Sequence, residues 1–261
     1  MTVDQRNAVG DSQYIDYGVT PVWVRFDVYT PGATAPSQTL FGQVHDASNW
    51  SSTGLGTAQV APAGPLANGV YEVVAAIVAS NTSPLGNSST YLASDLLRVY
   101  LTSAPITSNY GAGAGFINPD STSNTGTRNG YFGFLLRPGK TPTGTVAYTY
   151  RISMDVGGGN VRDVDIEVTS TSVATLNLHT GGGGGTVAAT GKFSVRYLDA
   201  ITGADYTAFD FAGGSYQLNA TDGGSAADKY QIVLKRPDGT AFHSSSSTQI
   251  VIAGGAITVK S

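Results

Sequence analysis

The sequence predicts an all-β chain folded as two β-sandwich domains, the first immunoglobulin-like and the second jelly-roll-like. Three observations predict it. Short runs alternate apolar and polar side chains, as where Val22, Val24, Phe26 and Val28 share one strand face and Trp23, Arg25, Asp27 and Tyr29 the other. No window repeats apolar residues at helical spacing without Gly, Pro or a β-branched interruption. Clusters of Gly, Pro, Asn, Asp and Ser separate the runs and supply turn chemistry.

The first segment, Met1 to Val19, lacks core periodicity but contains QYIDYGV, a strand-like stretch suited to adding onto a neighbour's sheet edge. It has no basic stretch leading into an apolar one, so no secretory signal is read in it. Strands are then expected at Pro21–Tyr29, Thr39–His45, Gly69–Ala79 and Leu96–Thr102. The most apolar of these, VYEVVAAIVA from Val70, is too short to cross a bilayer and reads as a buried strand. Its surroundings, ANGVYEVVAAIVAS, resemble the penultimate strand of immunoglobulin-like modules, which makes Tyr71 a packing residue. Between Ser103 and Asn129 the pattern dissolves into Gly, Ser, Asn and Thr, which places a boundary between domains 1–108 and 109–261.

From Tyr131 the strands resume as YFGFLL, GTVAYTYRISMDV, VRDVDIEVTS, TGKFSVRYLDA, GSYQLNATD, YQIVLKR, TQIVIAG and AITVK. The order GAGFINP, YFGF, GTVAYTYR, TGKFSV, SYQLNATDGG, DKYQIVLKRPDGTAFH and AGGAITVK is similar to a terminal β domain of secreted, multidomain bacterial surface proteins. That resemblance covers about Gly111 to Lys260 and is most specific at Phe132-Gly133-Phe134 and from Asp228 to Gly255. It departs at Phe116, where such domains more often carry Trp, and at Thr258, where His is frequent. The resemblance implies an extracellular, non-catalytic module and brings no site residues with it.

Composition narrows the function further. Charged residues are 12% of the 261, about half the usual share, and the surface this leaves is rich in hydroxyls, as is common outside the cell. A net charge of -4 with scattered Lys and Arg leaves no basic stripe for nucleic acid. Zero cysteines excludes disulfides and thiol chemistry.

Candidate sites follow from residue type and spacing. Asp163, Asp165 and Glu167 alternate along one strand face, a pattern that reads first as a solvated face and, as alternatives, as a calcium site or an acid–base pair. His45, His179 and His243 are far apart, and no nucleophile elbow accompanies the Ser244–Ser247 run, which reads as a hairpin loop. Gly181–Gly185 fails as a phosphate loop because Phe193 stands where Ser or Thr is needed and no helix follows, so it reads as a flexible loop. Trp50, in the loop DASNWSSTGLG, with Trp23 and Tyr29, is the best candidate platform for a sugar ring or a protein surface. The expectation is thus a non-enzymatic, extracellular structural or adhesion protein, in its specific version a self-assembling surface filament or matrix subunit, binding its own copies or other surface proteins. Alternatives are a carbohydrate-binding module acting on polysaccharide, and a virion or tail-appendage protein. No cofactor is expected apart from calcium.

Overall fold

The computed structural model describes residues 2–4, 23–43, 55–57, 60, 64, 66–78, 80–81, 96–105, 109–118 and 130–260. The chain is all-β and sandwich-like. Strand β1 (Thr2–Asp4) pairs with β4 (Leu55–Thr57). Between and after them come β2 (Trp23–Tyr29), β3 (Gln38–Gln43), β5 (Gly69–Val78) and β6 (Leu97–Ser103), forming an antiparallel sheet in the order β3-β2-β5-β6. Each realises an alternating run read from the sequence. Tyr71 packs partly against Val24, Phe26, Val28 and Val73, and its hydroxyl donates to the Ala67 carbonyl (2.8 Å), which fixes the entry into β5.

The larger sheet is a meander. It runs through β7 (Tyr110–Ile117), β8 (Gly130–Arg137), β9 (Thr143–Asp155), β10 (Val161–Gly181), β11 (Gly184–Asp199), β12 (Phe211–Asp222), β13 (Lys229–Lys235) and β14 (Ala241–Ser244), each beside its chain neighbour. The last segment then leaves this order: β15 (Ile250–Val251) pairs with β13, and β16 (Gly254–Lys260) pairs with β7. One segment therefore touches both ends of the meander, and the sheet is rolled. Two carboxylates brace the seam, Asp228 accepting from the Ile257 amide (2.7 Å) and Asp222 from the Val259 amide (3.1 Å). Those amides lie on the outer edge of β16, where no described strand pairs with them, and a buried edge donor needs an acceptor.

Alternation supplies the inside of the roll. Phe132, Phe134 and Leu136 from β8, Tyr148 and Tyr150 from β9, Ile166 from β10, Leu218 from β12, and Tyr230, Ile232 and Leu234 from β13 form one buried cluster. Phe132 and Tyr230 belong to strands far apart in the sheet, yet their rings stack at 4.1 Å. Only a rolled sheet lets them meet.

The strand β7 was not read from the sequence. Its Gly111 and Gly113 turn inward, where a Cβ on Gly111 would come within 2.6 Å of Val187 and one on Gly113 within 2.7 Å of Phe134. Aromatic and branched partners leave room for backbone alone, so the strand carries glycine where a typical strand carries a large apolar residue. Likewise Gly181–Gly185, expected as a flexible loop, is the tight end of the β10–β11 hairpin: Gly181 pairs with Gly184, and Gly182 and Gly183 have φ of 62° and 87°. A two-residue turn with both φ positive is the one that matches strand twist, and glycine adopts it without strain.

Candidate functional site: an aromatic cavity and a buried charge seam

The two sheets meet across a layer of paired charges. Gly133 makes the approach possible, since a Cβ there would come within 2.6 Å of the Tyr100 Cβ and 2.9 Å of Val70. Phe132-Gly133-Phe134 thus does two jobs, with rings filling the roll and glycine admitting the neighbouring sheet. Beside this contact Tyr100 and Thr149 share a 2.6 Å hydroxyl hydrogen bond.

Register places Arg151 opposite Asp165 and Arg196 opposite Glu167 on the outer face of the roll. Arg151 donates to both oxygens of Asp165, at 2.7 and 3.1 Å. Arg98, from β6, bridges the sheets by donating to Asp165 (3.1 Å) and to Glu72 of β5 (2.9 Å). Burial works against the Arg98 charge, but Glu72 and Asp165 overrule it and hold the guanidinium above its ordinary value. Glu167 takes the Gly32 amide (3.0 Å) and Arg196 (3.3 Å), and Arg196 also reaches Asp205 (3.0 Å). Burial, helped by repulsion from Glu72, pushes the Glu167 carboxyl up to about 7 against the pull of Arg196 and Arg98.

This arrangement shows where the three carboxylates read as a calcium candidate or a solvated face lie. Asp165 and Glu167 are 3% and 2% exposed, so that part of the face is covered by the smaller sheet. Their oxygens are taken by guanidinium and amide donors, while Asp163 accepts from Ser153. Among the described residues no group of three or more His, Asp or Glu is placed to hold a metal. The arginines that complete the layer were missed because each is remote in sequence from its partner.

Of the aromatic candidates, Trp23 is partly buried against Val74, Ala76, Val78 and Leu96. Tyr29 lines a cleft of about 140 Å³ beside Glu72, Arg98, Glu167 and Arg196. Trp50 and His45 lie outside the described residues, as does QYIDYGV. His179 is exposed on β10.

The third histidine leads to a different place. At one end of the roll a cavity of about 570 Å³ is lined by Tyr150, Tyr197, Phe209, Arg236, Phe242 and His243, among others. His243 faces inward because β14 continues the alternation of β13, with which it pairs at Leu234. Its ring stacks on Tyr150 at 3.9 Å and 11°, and Nε2 lies 3.3 Å from the Tyr148 hydroxyl. Burial lowers its pKa to about 4, so the imidazole is neutral at pH 7. Burial raises the Tyr150 and Tyr197 hydroxyls, which stay protonated and able to donate. Phe209 forms part of the lip, 37% exposed and 5.7 Å from the Tyr197 ring. The guanidinium of Arg236 lies 5.0 Å from the Phe242 ring centroid and 5.6 Å from that of Phe211. Nothing in the sequence marks this set, because its members come from β9, β11, the loop before β12, the turn after β13, and β14.

Next door, the serine run read as a hairpin loop is structural. Ser245 and Ser246 are buried, and the Ser245 hydroxyl accepts from the Ile232 amide (3.0 Å) while its own amide donates to the Ile232 carbonyl (3.0 Å).

Fold and site together define an all-β protein with a rolled meander sheet, a smaller sheet locked onto it by ion pairs, and an aromatic cavity at one end of the roll. Comparison with protein-family models, curated proteins and solved structures finds no match to this chain. Among the described residues, no helix is long and apolar enough to cross a membrane.

Proposed function

We propose that the chain is a non-catalytic, adhesion-type binding module that works outside the cell and holds a sugar ring in the aromatic cavity. The observation that carries the proposal is the cavity itself: about 570 Å³, walled by the Tyr150, Tyr197 and Phe242 rings, with exposed Phe209 at its lip. Sites of this size at the mouths of rolled sheets suit small ligands, and aromatic faces with hydroxyl donors suit the apolar face and the hydroxyls of a sugar. Low charge and the resemblance of residues 111–260 to surface-protein domains support the extracellular setting.

The test is a polysaccharide panel screened by pull-down and followed by calorimetry. Binding by the native chain, weakened about tenfold or more by Phe209→Ala with the fold retained, supports the reading. Absence of binding to every saccharide would sink it.

A second reading, self-association into a filament, is favoured by one feature. Among the described residues strand β6 pairs only with β5, and it presents Leu101, 48% exposed, beside the edge that no described strand pairs with. An open edge is a template for another strand. Sedimentation at rising concentration decides it, and a chain that stays monomeric at high concentration removes it.

A further inference from the structure

Arg236 gives the cavity a property that a site for neutral sugars does not need. Its guanidinium is braced by Phe211 and Phe242, yet among the described residues no carboxylate forms a salt bridge with it. Asp238 has its pKa lowered by hydrogen bonds from Thr240 and, with them, by the Arg236 charge, but its hydrogen bonds, like those of Asp210, go elsewhere. Asp238 accepts from the Thr240 amide (2.9 Å) and hydroxyl (2.7 Å), and Asp210 accepts from the Tyr197 amide (3.0 Å). Every other titratable lining residue described is neutral at pH 7: His243, because burial suppresses its protonation, and Tyr150 and Tyr197, whose phenols burial raises further above their ordinary value of 10. The positive charge of Arg236 reaches both tyrosine hydroxyls. Among the described lining residues of this cavity, in a protein of net charge -4, Arg236 is the single cation.

Resting on the saccharide reading of this site, we infer that the ligand is an acidic sugar, a ring bearing a carboxylate that Arg236 receives. A guanidinium fork matches a carboxylate with two parallel N–H···O bonds, and its aromatic bracing fixes the fork's direction before the ligand arrives. The sugar ring then lies against the Phe209 and Tyr197 side of the cavity, with Tyr150 and Ser153 in reach of its hydroxyls as lining groups.

The test compares trigalacturonate with its fully methyl-esterified form, which keeps the ring, linkage and length and removes the charge. Calorimetry is run on the native chain, Arg236→Gln and Arg236→Lys. Arg236 is exposed, so both variants should fold, and circular dichroism checks that they do. Expected is acid binding about ten- to a hundredfold tighter than ester binding, a preference erased in Arg236→Gln and partly kept in Arg236→Lys. Equal binding of acid and ester by the native chain, or an acid preference that survives in Arg236→Gln, overturns the inference and leaves the sugar-binding module standing. No binding of either form, with neutral glucans bound, likewise overturns the inference alone. No binding of any saccharide overturns both.

Discussion

Replacing Glu167 with Gln should make a nearly pH-independent stability pH-dependent, because two buried groups oppose one another in the native chain. Glu167 titrates at about 7 folded against an ordinary 4.5, so between those values the folded state holds a proton that the unfolded state has lost. Its contribution to stability is present below pH 4.5 and is lost as pH rises through about 7. His243 titrates at about 4 folded against an ordinary 6.5, so there the unfolded state holds the extra proton. Its contribution is present above pH 6.5 and is lost as pH falls through about 4. Each group's window is worth on the order of 3 kcal/mol, at about 1.4 kcal/mol per pH unit. From pH 4.5 to 6.5 the two slopes cancel.

Glu167→Gln keeps an acceptor for the Gly32 amide and removes one slope, while Arg196 keeps Asp205. The variant should gain stability on the order of 1 to 3 kcal/mol at pH 8 and lose that advantage progressively toward pH 4.5. His243→Phe keeps a ring against Tyr150 and should show the mirror image, with stability rising relative to the native chain as pH falls below 6.5. Urea midpoints at pH 4.5, 5.5, 6.5 and 8 measure this, and the difference from the native chain cancels the background of other carboxylates. A Glu167→Gln profile parallel to the native one across the whole range refutes the reasoning.

Further outcomes follow from single contacts. Tyr230→Phe should leave stability unchanged or raise it by about 1 kcal/mol, because the Tyr230 hydroxyl is buried and finds no hydrogen-bond partner among the described residues; a loss above about 1 kcal/mol in urea would show that it has one. Gly133→Val should cost about 1 to 3 kcal/mol or part the two sheets, read by urea midpoint and by exposure of Tyr100 to solvent exchange. Arg98→Met should cost about 3 to 5 kcal/mol at pH 7, since Glu72 is left buried without its partner, and Glu72→Gln in the same chain should recover part of that loss. Asp228→Ala should remove the acceptor of the Ile257 and Gly223 amides and cost about 1 to 3 kcal/mol, with faster amide exchange along β16 as the local readout.

Strands with large apolar residues were legible in the sequence, and strands without them were not. The runs around Phe26, Val74, Phe134 and Ile232 announce themselves by alternation, and each is a strand with those side chains buried. Strand β7 hides its alternation because the inward positions 111 and 113 are glycines, where Val187 and Phe134 supply the volume from the other side. A pattern search that counts side chains finds nothing at a position where the fold requires that there be none. The extension of β10 past Ser170 hides for a related reason. Register shifts at Ser170/Ser172 and Val173/Thr175 break the period of two. The spacing of runs also does not distinguish a meander from a jelly roll, since both use short strands and short turns.

The candidate site was less legible, and the reason is registration rather than chemistry. Asp165 and Glu167 stand out in the sequence by their alternation, but what they do depends on which residues the neighbouring strands place opposite them. Arg151 lies opposite Asp165 and Arg196 opposite Glu167, so each carboxylate meets a cation, and Arg98 arrives from the other sheet. A one-residue slip of β9 or β11 would turn Arg151 or Arg196 into the apolar roll and leave the acids unpaired. Replacing hydrophobic contact by such a layer adds little net stability but penalises every wrong register by the cost of an unpaired buried charge. The same registration that fixes the charged layer outside the roll fixes Tyr150 and Tyr197 inside it, one residue away from Arg151 and Arg196 on their strands. The ion pairs thereby hold the walls of the aromatic cavity in place, and a charge-reversed pair, Asp165→Arg with Arg151→Asp, should disturb ligand binding through wall position even though neither residue lines the cavity.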